Sequence, residues 1–164
     1  MWDELTKEDK EQRLELYLKR VDAFLAQVRE WCSTRPLVLT EFLIGKGELA
    51  MPDYVVPALR IATLTGKKLG EVLPTGALTL TGAGQICIKV SIVNHRLSFQ
   101  TDPRPIVDGK REPLILDGSY ERKVRRGVNG DGWYWLENRA LKLKPVTEAL
   151  FFELLSDGAR YEIE

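Results

Sequence analysis

The sequence predicts an α+β fold, an antiparallel β-sheet meander packed against a long N-terminal helix with a short C-terminal helix in support. Three observations predict it. Leu14, Leu18, Val21, Leu25, Val28 and Cys32 recur at alternating spacings of four and three, the mark of one helix face. From Leu59 to Phe99, short apolar runs alternate with turn residues, and connections that short join antiparallel neighbours. The run from Gln85 to Ile92 sets Ile86, Ile88, Val90 and Ile92 on one face and Gln85, Cys87, Lys89 and Ser91 on the other, a period of two that means a sheet with one buried face.

Thr6 is a ready N-cap for the first helix, and Glu8 and Asp9 place acidic groups where the helix dipole favours them. Tyr17, Phe24 and Trp31 run beside the main stripe at intervals of seven. A stripe that broad packs on the sheet or, if wider than one sheet face covers, joins two copies in a homodimer through the N-terminal helix. The helix ends near Ser33-Thr34-Arg35-Pro36, because Pro36 turns Arg35 away from helical geometry. Leu37 to Ile44 reads as a first strand closed by Gly45-Lys46-Gly47, and Met51 to Pro57, with Pro52 and Pro57, as an edge segment.

The meander continues as Leu59 to Leu64, Leu69 to Leu73, Ala77 to Thr81 and the strand from Gln85. Its turns fall at Thr65-Gly66-Lys67-Lys68, Pro74-Thr75-Gly76 and Gly82-Ala83-Gly84. Asn94-His95 reads as a further turn. Thr101 to Gly132 reads as an exposed loop region holding a short strand at Leu114-Ile115-Leu116, a basic run to Arg126 and a glycine-rich stretch. Trp133 to Leu136 resumes a strand, Ala140 to Leu143 returns beside it, and Val146 to Leu155 forms the last helix with Thr147 as cap. The chain is read as one domain over 1–164: helix to 35, β-rich core over 37–143, helix over 145–158.

Hydrophobic content of 44% with 29% charged residues places the chain among globular proteins rather than disordered ones. The start, Met1-Trp2-Asp3-Glu4, lacks a signal-peptide pattern and no apolar run is long enough to span a bilayer, so the expectation is a cytoplasmic protein with no membrane segment. Two cysteines and one histidine are too few for a disulfide framework or a four-ligand zinc site, and no metal or cofactor is expected. Cys32 falls on the helix stripe as a small hydrophobe, whereas Cys87 lies on the polar face of its strand.

Net charge is zero, but the two ends are acidic. Positions 31 to 144 therefore hold 17 basic and 11 acidic residues, which confines any anion-binding role to the middle of the chain. Gly82-Ala83-Gly84 precedes a strand rather than a helix, so it reads as a hairpin turn and not a phosphate loop. No nucleophile and acid are grouped around His95, and no catalytic residue is assigned.

Arg122, Lys123, Arg125 and Arg126 stand before a glycine-rich loop and then Trp133 and Trp135, the residue types that carry binding energy at contacts. The primary reading is a non-catalytic binding or regulatory module that meets a protein partner with an acidic surface through these residues; packed tryptophans beside a solvated basic strand are the plainer alternative. Neutral overall charge makes nucleic acid the less favoured ligand. A different class enters with Asp108 and, after twelve intervening residues, Glu121-Arg122-Lys123. This arrangement resembles the metal-dependent nuclease family whose motif is an Asp followed by Glu-x-Lys. The resemblance implies Mg²⁺ held by Asp108 and Glu121, with Lys123 near the attacked phosphate.

Overall fold

The computed structural model describes residues 6–48, 51–77, 83–102, 106–111, 127–137 and 142–156. The first helix, α1, spans Lys7–Cys32. Its start is closed by a reciprocal pair: the Asp9 amide donates to Thr6 Oγ1 at 3.1 Å and the Thr6 amide to Asp9 Oδ2 at 3.3 Å. Seven strands follow in one antiparallel sheet: β1 Leu37–Lys46, β2 Tyr54–Thr63, β3 Lys68–Gly76, β4 Gln85–Val90, β5 Val93–Gln100, β8 Gly132–Glu137 and β9 Lys142–Pro145, paired in that order. A separate hairpin of β6 (Ile106–Val107) and β7 (Lys110–Arg111) lies between β5 and β8 in sequence. The last helix, α2, spans Glu148–Ser156 and is capped by Thr147, whose Oγ1 accepts from the Leu150 amide at 3.2 Å. This is the α+β meander that the spacings predict.

Both helices contribute to one core. Tyr17, Val21, Phe24, Leu25, Val28 and Cys32 of α1 are buried with Leu59, Ile61, Val72, Ile86, Ile88, Val90 and Leu97 of the sheet and Phe151, Leu154 and Leu155 of α2. Trp133 joins them, its ring centroid 5.8 Å from that of Phe24 and 5.4 Å from that of Phe99. Trp31 meets Phe151 at 5.5 Å and so ties α1 to α2. The stripe is thus spent within the chain; Leu16 is the large apolar side chain of α1 left exposed. Close approach explains two glycines. A side chain at Gly70 would meet Leu155 and the Lys89 carbonyl, and one at Gly84, whose φ is +143°, would meet the Tyr17 ring.

Four sequence expectations are corrected by the register. The turn after β4 is Ser91-Ile92, with Val90 facing Val93, so Ile92 is 79% exposed instead of lining the core beside Val90. Ser91 takes the positive φ of 55° that this two-residue turn needs. His95 accordingly lies within β5, buried and opposite Ile88, not at a turn. β3 runs through Pro74-Thr75-Gly76 with a register shift between Pro74 and Gly76, rather than turning there. Finally, Pro57 sits inside β2, which has a neighbour on each side.

The prolines at 57 and 74 act at a local edge all the same. Pairing of β2 with β3 covers Leu59 to Ala62, and carrying its register on would set Pro57 opposite Pro74, two residues with no N–H to donate. Beyond that point β1 and β2 continue as a two-stranded ribbon, and such ribbons twist more strongly than wide sheets. Burial in β2 changes parity there, from Leu59 and Ile61 to Tyr54, Val56 and Ala58, as the twist carries the ribbon's other face into the core. The β6–β7 hairpin was not legible as such in the loop reading, although Asp108-Gly109 with φ of 52° and 76° is the turn chemistry that announces one.

Candidate functional site

The sheet face opposite the helices is built by the alternate residues of the same strands. Across its centre the register sets Arg60 opposite Glu71, Glu71 opposite Lys89 and Lys89 opposite Asn94; in the next row Leu73, Cys87 and Arg96 align. Directly opposite side chains stand about 5 Å apart and diagonal ones about 7 to 8 Å, so Lys89 and Arg96 are neighbours on the face. Arg60, Lys68, Lys89, Asn94 and Arg96 are all exposed.

One acidic side chain, Glu71, lies among these four cations, and it is buried and already engaged. Lys68 Nζ donates to Glu71 Oε1 at 2.6 Å and Arg60 Nη2 to Oε2 at 3.4 Å. Burial alone would raise the Glu71 pKa; the lysine and the arginine outweigh it and hold the carboxyl below its usual range. Lys89 and Arg96 form no ion pair with a described residue. Cys87 lies between them with its thiol pushed up by burial, a shift that Arg96 and Lys89 only moderate, so it stays a thiol at neutral pH. The face presents fixed positive charge above a packed sheet, an arrangement that attracts acidic groups.

A second polar constellation closes the end of the β1–β2 ribbon. Glu48 accepts from Tyr54 Oη at 2.6 Å and from the Ala77 amide at 3.1 Å, while Tyr17 Oη donates to the Gln85 carbonyl at 2.7 Å. Burial, reinforced by Glu48, raises the pKa of both phenols far above the usual tyrosine range. Next to it a cleft of about 490 Å³ runs between α1 and the sheet, where Asp9, Gln12, Arg13 and Arg20 meet Ala77 and Ala83. Arg20 stacks over Phe99 with its guanidinium carbon 4.0 Å from the ring centroid, and burial makes it less basic than usual.

The sequence-derived candidates separate. Trp133 is buried between Phe24 and Phe99, and Trp135 is half-buried on the same face with its ring 6.1 Å from His95. Of the two sequence readings, packing is the one that fits Trp133. Arg122, Lys123, Arg125 and Arg126 lie outside the described residues, as do Glu121 and the strand expected at 114–116. Asp108 is exposed at the tip of the β6–β7 turn, and among the described residues no three His, Cys, Asp or Glu side chains are grouped to hold a metal ion. Ala83 and Gly84 bond to the main chain of Phe99 and lead directly into β4, with no helix N-terminus behind them to bind phosphate.

The basic face was within reach of the sequence, through charged residues flanked by buried apolar ones, as in Leu59-Arg60-Ile61 and Ile88-Lys89-Val90. What the sequence lacks is the register that brings the four together. No helix among the described residues is long and apolar enough to cross a membrane. Comparisons with protein-family models, with curated proteins and with solved structures find no match for this chain.

Proposed function

We propose that this chain is a non-catalytic binding module that docks a protein partner with an acidic surface on the open face of its sheet. The observation that carries the reading is the grouping of Arg60, Lys68, Lys89 and Arg96 on one exposed face around a carboxylate that is already saturated. Such a patch steers an acidic surface and fixes its register more than it adds affinity. In this reading Arg122, Lys123, Arg125 and Arg126 add to the positive charge that recruits the partner. A protein is favoured over a single-stranded nucleic acid because binding the latter rests on exposed rings for stacking, and Phe42, whose ring lies 5.5 Å from the Arg60 guanidinium, is half-buried. The setting is the cytoplasm, where Cys32 and Cys87 persist as free thiols.

The test uses two fluorescent probes of equal charge, a decaglutamate peptide and a single-stranded oligonucleotide, titrated with the native protein at low and physiological salt. The reading expects the peptide to bind more tightly, with an affinity that falls as salt rises. Tighter binding of the oligonucleotide, or binding of neither, overturns it. An Arg125→Glu/Arg126→Glu variant tests the contribution of the basic run: it should weaken peptide binding while leaving thermal stability unchanged.

A further inference from the structure

The two outer strands of the sheet differ in how they end it. β9 has four residues, ends in Pro145 and carries Lys142 and Lys144, all features that discourage another strand from pairing. β1 has ten residues, contains no proline, and pairs with β2 over its whole length. Among the described residues no strand pairs with its other edge, which leaves a row of backbone donors and acceptors on that side. Two of its exposed side chains are apolar, Val38 at 45% and Leu43 at 70%, beside the polar Thr40 and Glu41; Val55 of β2, opposite Gly45 and so diagonal to Leu43, is 57% exposed. The strand's one acidic group, Glu41, is paired with Arg29 of α1 at 3.2 Å, so its charge does little to repel an incoming strand.

We infer that β1 is the interface through which two copies of this chain form a dimer, each adding its first strand to the other's sheet. The occupant follows from the contrast between the edges. A head-to-tail contact of β1 with β9 would propagate into a filament, and the proline and lysines of β9 oppose it; β1 against β1 is self-complementary and closes after two copies. A two-fold axis normal to the sheet keeps each face on its own side, so it pairs residues of like parity. A register centred on Phe42 then sets Thr40 opposite Ile44 and Glu41 opposite Leu43, which keeps the two Glu41 side chains from facing each other. The joined sheet would have fourteen strands, and the open basic face would continue across it.

The experiment is sedimentation equilibrium of the native chain beside Val38→Lys/Leu43→Lys, which places at β1 the residue type that guards β9. The native chain should run at twice the 18.7 kDa chain mass at high micromolar concentration, and the variant at 18.7 kDa with the melting temperature that the native chain shows when diluted to monomer. Amide exchange across β1 in the native chain, read at low and high protein concentration, gives a second measure that needs no variant; protection should rise with concentration in β1 and stay constant in β9. A native chain that stays at single mass, a variant that stays dimeric, open-ended oligomers, or β1 protection independent of concentration each overturns the inference.

Discussion

Residues 59 to 61, 71 to 72, 88 to 89 and 95 to 97 contribute to two surfaces that do opposite work. Leu59, Ile61, Val72, Ile88 and Leu97 face the helices and are fully or almost fully buried, whereas Arg60, Lys89 and Arg96, one peptide away, face solvent on the other side. The two sets share a backbone and a register yet differ in what a substitution should change. Apolar burial drives folding, at about 25 cal/mol per Å² removed from water, and exposed charges add little to stability. A sheet with one covered face therefore allows the other face to be chosen for recognition with little cost to the fold.

The covered face should give the largest effects. Replacing Ile88 or Leu25 by alanine removes a fully or almost fully buried side chain and should cost about 2 to 5 kcal/mol in denaturant unfolding. Losses under about 1 kcal/mol at both positions would contradict the core described above. The ribbon end, where β2 changes its buried parity, should come next. Glu48→Ala leaves the Tyr54 hydroxyl and the Ala77 amide without that acceptor, and should cost about 1 to 3 kcal/mol by the same assay. Tyr54→Phe, which removes the donor and leaves the carboxylate its amide partner, should cost less.

Among the described residues of the open face the buried charge is Glu71, and its contribution carries a pH signature. Its pKa is lower in the folded chain than in the unfolded one, so the stabilisation is complete above the ordinary value of 4.5 and is lost as pH falls through the lowered folded value. Glu71→Gln should therefore cost at most about 1 kcal/mol at pH 7, because both cationic partners are half in solvent. That difference should shrink toward zero in urea titrations repeated well below the ordinary carboxylate pKa; a difference that is the same at both pH values would show that the ion pairs contribute nothing.

How much of this was legible in the sequence depends on whether the controlling signal is local. The helix stripe, the Thr6 cap and the alternation through Gln85 to Val90 are local patterns, and each appears where the spacing puts it. The turn at Ser91-Ile92 is not local in that sense. Ile92 continues an apolar alternation, and Asn94-His95 is better turn chemistry, but pairing Val90 with Val93 lets His95, Leu97 and Phe99 join the inner face together. Tertiary burial decides between two registers that the sequence alone leaves nearly equal. The interruption between β2 and β3 likewise needs Pro57 and Pro74 to be recognised as neighbours, which only the register reveals. The grouping of side chains on the two faces depends on register in the same way. Trp133 and Trp135 stand out in composition, but alternation with Tyr134 and Leu136 turns both toward the helices, while Arg60, Lys68, Lys89 and Arg96, 36 positions apart in sequence from first to last, converge on the opposite side.

The separation of the two faces is tested most directly by Lys89→Glu/Arg96→Glu, with thermal melting and decaglutamate binding measured on the same preparations. Both side chains are exposed and unpaired with any described carboxylate, so the cost comes from the new carboxylate at 89 facing Glu71, and stability should fall by no more than about 1 kcal/mol. Peptide binding should fall at least tenfold, because two attractive charges become repulsive ones at the centre of the face. Unchanged binding with unchanged stability would mean that the open face is only a solvated surface, and a large loss of stability would mean that the two faces are not separable.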